Sequence, residues 1–215
     1  MELLLHEAYL LLGIDDEKGH FTDYSGFYGY GFVTAILLDM IEQGVLDIED
    51  KRVVIKSSNK TVNKTFNRAL EVTKKFKKPQ KLGNWINYMM AYSSKLYRFS
   101  LDRLIRQQIL KQTYWKLLWV FKIKRYPTRN GQPERELIQR LRQIVLQGEQ
   151  GSRQDRQLLK LLQVSKQLKA VFADKAARKN AEQFIKAMPP EGAWGEAFEQ
   201  AIKEVEAAMV AAMMG

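Results

Sequence analysis

The segment 114–125 combines aromatic and basic side chains at alternating positions, in the order Tyr-Trp-Lys-Leu-Leu-Trp-Val-Phe-Lys-Ile-Lys-Arg. Successive side chains of an extended chain point to opposite sides, so one side is apolar and the other largely cationic. The apolar side carries Trp115, Leu117, Trp119, Phe121 and Ile123, and the other side carries Tyr114, Lys116, Leu118, Val120, Lys122 and Lys124. Aromatic rings favour the headgroup zone of a bilayer and lysines are attracted to anionic lipid, so the segment predicts a membrane-contacting surface. On the pattern alone, the alternation is more typical of a half-buried strand with a charged solvent face.

Residues suited to catalysis or metal binding are few. The chain has two histidines, His6 and His20, and no cysteine, which excludes disulfides, thiol catalysis and thiolate metal sites. His6 lies in an apolar segment, and we interpret it as structural. Asp15, Asp16 and Glu17 have no second carboxylate cluster to complete a cation site, which favours an exposed acidic turn. No nucleophile has a base at a recognisable spacing, so we expect no catalysis, no metal and no cofactor.

A glycine-rich segment, residues 26–31, precedes an apolar run and is weakly similar to a phosphate-binding loop. It lacks the following Lys-Ser or Lys-Thr, and no clear strand precedes it. Tight packing at the start of a helix is therefore the favoured interpretation.

The elements that must position these residues are mainly helical. Apolar spacing predicts helices over residues 3–12, 32–43, 61–78, 82–92, 99–108, 134–146, 158–172, 176–188 and 194–213. Residues 45–55 predict a hairpin with its turn at 49–51, after a left-handed Gly44. No low-complexity linker divides the chain. We therefore predict a single domain, residues 1–215, that is mainly α with small β-hairpins.

The chain is strongly basic. Its 215 residues carry a formal net charge of +11, which indicates an anionic partner such as lipid headgroups, nucleic acid or an acidic protein. Basic side chains cluster at 74–78, 95–106 and 116–129. No apolar run is long enough to span a bilayer, and Glu2 and Glu7 argue against a signal peptide. Neither Gly at position 2 nor a C-terminal Cys is present, so no lipidation signal is expected. We expect a cytoplasmic protein that associates with a membrane peripherally.

Six blocks, in order, resemble the Golgi phosphoprotein 3 family, and together they cover nearly the whole chain. They are Leu10-Leu-Leu-Gly-Ile-Asp-Asp-Glu-Lys-Gly19, Ala35-Ile-Leu-Leu-Asp-Met-Ile-Glu-Gln-Gly44 with Glu49-Asp-Lys-Arg-Val53, Lys78-Pro-Gln-Lys-Leu-Gly-Asn-Trp-Ile86, Leu101-Asp-Arg-Leu, Arg125-Tyr-Pro127 and Trp194-Gly-Glu-Ala-Phe-Glu-Gln-Ala-Ile-Lys-Glu-Val205. The resemblance implies a mainly α-helical, non-catalytic, peripheral membrane protein that recognises phosphatidylinositol 4-phosphate. Eukaryotic members act on the cytosolic face of the Golgi and carry a long N-terminal arm. This chain instead resembles the compact bacterial members, which have no such arm.

The resemblance also implies where binding takes place. A protruding apolar hairpin of the family touches the membrane and mediates self-association, and residues 114–124 fall at this hairpin. The residues implied for membrane contact or self-association are Trp115, Leu117, Leu118, Trp119 and Phe121. In the headgroup pocket, Val33 stands where the family has an Arg. The residues implied for headgroup binding are Tyr24, at an aromatic position, Ser94 and Tyr97, at two further Arg positions, and the adjacent Lys95 and Arg98.

Two alternatives to a lipid-binding protein stay open at this point. A helix, Gly44 and a hairpin are also typical of a winged-helix nucleic-acid-binding module, and the charge fits. Residues 32–40 are too apolar for a recognition helix, which makes nucleic acid an unlikely partner. The second alternative is a homo-oligomeric scaffold that uses the hairpin at 114–125 as its subunit interface.

Overall fold

The computed structural model describes residues 3–22, 26–57, 61–117, 121–189, 196, 198–200, 202–204, 206–207 and 210. The elements, in chain order, are α1 (Leu5–Leu11), α2 (Gly26–Glu42), β1 (Leu46–Glu49), β2 (Arg52–Ile55), α3 (Lys64–Thr73), α4 (Leu82–Met90), α5 (Ser93–Arg106), β3 (Thr113–Leu117), β4 (Phe121–Arg125), α6 (Gln132–Gln147), α7 (Arg153–Val164), a short 3-10 helix (Leu168–Ala170) and α8 (Lys175–Ala187). The described residues between 196 and 210 are also helical. A mainly α fold with two small antiparallel hairpins is thereby confirmed.

Helix α2 forms the centre of the core. Phe32, Ile36 and Leu37 have no exposed surface, and α2 packs against α1, α4 and α7. A helix that is apolar on all sides is stable only when it is surrounded. Because α2 is buried, it cannot enter a nucleic-acid groove, and the arrangement does not support the winged-helix alternative.

The glycine-rich segment forms the first turns of α2, which begins at Gly26 and not at residue 32 as predicted. A Cβ at Gly31 would lie 2.3 Å from the Tyr9 hydroxyl, and one at Gly29 would lie 2.7 Å from Met90 Cε. Glycine is a poor helix former, which explains the late predicted start. Here it allows α1 and α4 to approach α2 closely, which agrees with tight packing at a helix start.

Helix α1 depends on a carboxylate from α2. Its N-cap, Leu4, has no side-chain cap. Asp39 accepts hydrogen bonds from the backbone N–H groups of Leu5, at 2.9 Å, and His6, at 2.8 Å, and lies 2.5 Å from His6 Nδ1. The pair is buried, with the His6 side chain 0% and the Asp39 side chain 8% exposed. These contacts fit the structural interpretation of His6.

Several helix ends differ from the predicted ones, and a capping side chain sets one of them. Helix α3 begins at Lys64 because Asn63 accepts hydrogen bonds from the N–H groups of Thr65 and Phe66. It ends at Thr73, five residues before the predicted end at 78. Helix α5 begins at Ser93, six residues earlier than predicted, so it includes residues 94–98.

The first hairpin matches its prediction closely. Leu46 pairs with Ile55 and Glu49 with Arg52. Asp50 and Lys51 form the turn with φ of 47° and 60°, and Gly44 has φ of 67°. Two left-handed residues between antiparallel strands are typical of the turns that match the right-handed twist of a hairpin.

Candidate functional site

Strands β3 and β4 form the second hairpin, with Trp115 opposite Ile123, Leu117 opposite Phe121 and Lys116 opposite Lys122. Residues 118–120, which include Leu118 and Trp119, lie outside the described part, and Leu117 is described for its backbone only. Because three residues separate the strands, odd-numbered positions pair with odd-numbered ones. The apolar side chains of both strands therefore share one side of the hairpin, and the basic side chains share the other. This is the arrangement predicted for a single extended strand.

Both sides of this hairpin face solvent. Trp115 is 47%, Phe121 61% and Ile123 38% exposed, and Tyr114 on the other side is 55% exposed. Of the hairpin side chains that the structure describes, none is buried. The half-buried strand of the alternative interpretation would cover one side with the core. An uncovered aromatic side instead marks a surface for interaction.

The basic side chains of the hairpin are not neutralised within it. Segment 113–125 contains no Asp or Glu, and Lys116 stands directly opposite Lys122. Like charges at directly opposed positions are unfavourable, so an anion beside them would relieve the repulsion. The guanidinium of Arg125 lies 5.5 Å from the Trp115 ring centroid, which joins the cationic and aromatic features.

The base of the hairpin is fixed to the loop that follows α1. The backbone N–H of Tyr126 donates to the Gly19 carbonyl at 2.7 Å, and that of Thr128 donates to the Asp16 carbonyl at 2.9 Å. Gly19 has φ of +63°, and a Cβ there would lie 2.2 Å from the backbone nitrogen of Pro127. Only glycine permits this close approach. The exposed hairpin therefore extends from a rigid base.

A carboxyl pair lies at the same base. Burial, followed by the charge and hydrogen bonding of Asp16, raises the pKa of Glu134 from 4.5 to about 8, and Arg135 opposes the rise. Asp16 also accepts a hydrogen bond from the Thr128 hydroxyl. Glu134 is 9% exposed, so its charged form is poorly solvated. At neutral pH this pair holds a proton.

We expect the free energy of unfolding to fall as the pH rises from about 4.5 to about 8, since the folded state binds this proton more tightly than the unfolded state does. This contribution to the free energy of unfolding is fully present below about pH 4.5 and is lost above about pH 8. Glu134→Gln should remove the decline and stabilise the protein at pH 8.5 by ~1–2 kcal/mol. Urea unfolding at two pH values measures this. Exposed Glu136→Gln on the same helix is the control, and equal slopes for Glu134→Gln and the wild type would contradict the assignment.

A basic groove of about 660 Å³ lies between α3 and α5. Its charged lining consists of Lys64, Arg68, Lys74, Lys95, Arg98 and Glu71. The two helices pack against each other, and the hydroxyls of Thr65 and Ser100 lie 3.2 Å apart beneath the groove. The hydrogen bond and burial of these hydroxyls fix the separation of the two walls.

The positive charge of the groove lowers the pKa of Glu71, the one carboxylate in its lining. The hydrogen bond and charge of Arg68 lower the pKa of Glu71, with further contributions from Lys95 and Lys74. Arg68 Nη1 lies 2.8 Å from Glu71 Oε2. Positive side chains from both helices therefore act on the same carboxylate.

The residues implied for headgroup binding are only partly brought together. Lys95 and Arg98 line the basic groove. Ser94 is exposed in the first turn of α5 and is not part of the groove lining, and Tyr24 lies outside the described residues. The ring of Tyr97 instead joins an aromatic cluster with Phe32 and Phe21. That assignment as a whole stays a prediction.

The Tyr97 ring stacks on Phe32 at a centroid distance of 4.1 Å and contacts Phe21 at 5.3 Å. Burial raises the pKa of Tyr97 far above its usual range. Val33, where the resemblance would place an Arg, is fully buried in α2. This side of α5 therefore packs inward.

Of the groove residues on and just after α3, only Lys74 was singled out from the sequence, as part of the basic cluster at 74–78. Lys64, Arg68, Glu71 and Lys74 follow one another at intervals of three or four, which places them on one side of a helix. That spacing was the feature of the sequence that could have identified these residues. Its pairing with α5, about thirty residues later in the chain, comes only from the fold.

The groove and the hairpin are neighbours. Burial first, then Asp102 and Tyr114, raises the pKa of Tyr126, while Arg98 lowers it. Tyr126 directly follows β4, and Arg98 lines the groove. Arg98 of the groove and Tyr126 at the base of the hairpin are therefore close enough to interact electrostatically.

Within the described ranges, no three His, Cys, Asp or Glu residues group in a way that could hold a metal ion. No described helix combines the length and the apolar character needed to cross a bilayer.

A comparison with protein-family models gives a match over most of the chain. The family model described as Golgi phosphoprotein 3 (GPP34) matches residues 5–205, nearly the whole chain. No curated protein matches the chain.

Proposed function

Because the chain belongs to the Golgi phosphoprotein 3 family, we propose that it is a non-catalytic peripheral membrane protein that binds phosphatidylinositol 4-phosphate or another anionic lipid headgroup. We propose that it does so at a membrane facing the cytoplasm. The observation that carries the proposal is the second hairpin, which exposes Trp115 and Phe121 beside lysines that no carboxylate of the hairpin neutralises.

Neither the charge of the basic residues nor the insertion of the aromatic rings is sufficient alone for stable membrane binding. The four basic residues at 116, 122, 124 and 125 would contribute roughly 1 kcal/mol each near an anionic surface, which corresponds to about millimolar affinity. Transfer of one large aromatic side chain out of water adds about 1.5–3 kcal/mol. At the lower of these values, two such rings would bring the affinity to about 10 μM, where a peripheral protein is stably bound. The combination on one hairpin therefore supports membrane binding.

Co-sedimentation with liposomes at physiological salt tests the proposal. We expect binding to vesicles that contain phosphatidylinositol 4-phosphate or charge-matched phosphatidylserine, and little binding to neutral phosphatidylcholine. A preference for the phosphoinositide would indicate headgroup recognition, whereas equal binding would indicate a general anionic surface. Absence of binding to both anionic vesicles would contradict the proposal.

Self-association through the same hairpin is the second candidate, because its uncovered apolar side could pair with a copy of itself. Light scattering over a range of concentrations distinguishes the two. A strict monomer in solution would remove the oligomer, and a dimer that fails to bind liposomes would favour it over lipid binding.

A further inference from the structure

We propose that Asp16 and Glu134 form a proton-dependent latch between the base of the second hairpin and the loop after α1. A proton held by the two carboxyl groups keeps the latch closed, and loss of that proton opens it. The family match assigns no such role to either residue. The latch stands apart from the proposed function, and only its consequence for liposome binding rests on that function.

The second hairpin is held to the rest of the protein mainly at its base. Strands β3 and β4 make their main contacts with each other. One side of the base joins the segment after α5, where the backbone N–H of Lys111 donates to the Pro127 carbonyl at 3.0 Å. The other side joins Gly19 and Asp16 of the loop after α1. The contact with this loop can therefore open while the contact with the segment after α5 remains.

Asp16 connects the hairpin base to the carboxyl group of Glu134. Its backbone carbonyl accepts a hydrogen bond from the Thr128 N–H at 2.9 Å, and its side chain accepts one from the Thr128 hydroxyl. The Asp16 side chain also hydrogen-bonds with Glu134 of α6. A change of charge on Glu134 therefore acts directly on the residue that fixes Thr128.

Glu134 lies where a negative charge is unfavourable. The residue is 9% exposed, and its buried Oε2 accepts no hydrogen bond from an N–H or hydroxyl group of the described residues. Its neighbour is a second carboxyl group, so the two are stable at short range only while a proton lies between them. Burial first, and then Asp16, raises the pKa of Glu134 to about 8, which sets the pH at which the latch opens.

Two charged groups act on Glu134 in opposite directions. Asp16 raises the pKa of Glu134, and Arg135, the next residue of α6, lowers it. Asp15 accepts hydrogen bonds from two backbone N–H groups of the loop, and the charge of His20 acts on Asp15. The loop thus has hydrogen bonds of its own at Asp15, which the opening of the latch does not remove.

The other ionisable groups around α6 are paired, neutral or exposed. On α1, His6 pairs with Asp39 and Glu7 pairs with Arg103. At the hairpin base, burial raises the pKa of Tyr126, which therefore stays neutral. Arg178 of α8 donates to the Phe172 carbonyl, and the exposed side chains of the base and of α8 are Arg129, Lys175, Lys179, Glu182 and Lys186. The proton that is lost at about pH 8 therefore belongs to the pair of Asp16 and Glu134.

Amide hydrogen exchange measured by NMR, without any membrane, tests the latch. We expect the amides of Tyr126 and Thr128 to exchange faster than the core amides of α2, because they open locally. After correction for the hydroxide dependence of exchange, their protection should fall roughly tenfold between about pH 6.5 and about pH 8.5. The amide of Lys111, on the other side of the base, is the internal control and should change less. Exchange of Tyr126 and Thr128 no faster than the core would mean global opening and would overturn the latch.

Two substitutions remove the charge of the pair from either side. Glu134→Gln and Asp16→Asn each keep the size of the side chain and an acceptor oxygen. Each should abolish the fall in protection at Tyr126 and Thr128, whereas Glu136→Gln, at an exposed position of the same helix, should behave as the wild type does. A fall that persists in Glu134→Gln would overturn the proposal.

Binding to phosphatidylserine liposomes at the same two pH values measures the consequence for the membrane contact. Phosphatidylserine is the suitable lipid because it has no phosphomonoester that titrates near neutral pH. A hairpin on an open base is less preorganised, so the wild type should bind several-fold more weakly at the higher pH, and Glu134→Gln should bind equally at both. Equal binding by the wild type at both pH values would overturn the link to the membrane contact. If exchange depends on pH as expected but liposomes are not bound at either pH, the latch is supported and the proposed function is wrong.

Discussion

Replacing Trp115 and Phe121 with alanine is expected to weaken binding to anionic liposomes about a hundredfold, since insertion of the two rings contributes about 3 kcal/mol together. The two side chains belong to one side of the hairpin, and at 47% and 61% exposure they have little packing to lose in the folded protein. The change should therefore act on binding and not on stability. Co-sedimentation at increasing lipid concentration measures it, with urea unfolding to check that the variant is folded.

The matched control for the hairpin is Ile55→Ala with Leu146→Ala. These residues are 42% and 50% exposed and lie on β2 and α6, away from the second hairpin. Loss of exposed apolar side chains there should leave liposome binding unchanged. If the hairpin variant binds as the wild type does, the aromatic side is not the membrane contact. If it only converts a dimer to a monomer, the hairpin is a subunit interface.

Asp39→Ala is expected to have the largest effect on folding, a loss of ~3–5 kcal/mol in the free energy of unfolding, because it removes one partner of a buried pair. The substitution leaves His6 Nδ1 and the backbone N–H groups of Leu5 and His6 without their acceptor. Each is buried in the core, where an unpaired polar group cannot bind water. Urea denaturation at neutral pH measures the loss. A marginally stable domain could unfold entirely.

Asp47→Ala provides the comparison for Asp39. Asp47 lies 3.6 Å from Lys56 in a pair whose side chains are about half exposed, at 44% and 50%. An exposed ion pair contributes about 1 kcal/mol or less. If Asp39→Ala costs no more than this control, then α1 does not depend on the carboxylate. Asp39→Asn, which keeps an acceptor oxygen, should fall between the two.

The sequence by itself determined the kind of elements and the character of the second hairpin. Period-3.6 apolar spacing is a local property, and it predicted helices that the structure contains, with errors mainly at their ends. Strand alternation predicted which side chains share a side of the hairpin, because the number of residues between the two paired strands, three, preserves parity. The blocks that resemble the Golgi phosphoprotein 3 family also needed no coordinates, and the family is confirmed.

Only the tertiary structure decided which residues meet. Exposure of both sides of the hairpin depends on how its base is fixed to Gly19 and Asp16, more than a hundred positions earlier in the chain. The inward packing of Tyr97 depends on the position of Phe32. The raised pKa of Glu134 depends on Asp16. The basic groove joins Arg68 of α3 to Lys95 of α5. Local spacing carries no information on such contacts, since the sheet and helix periods fix directions within an element while packing fixes the neighbours between elements.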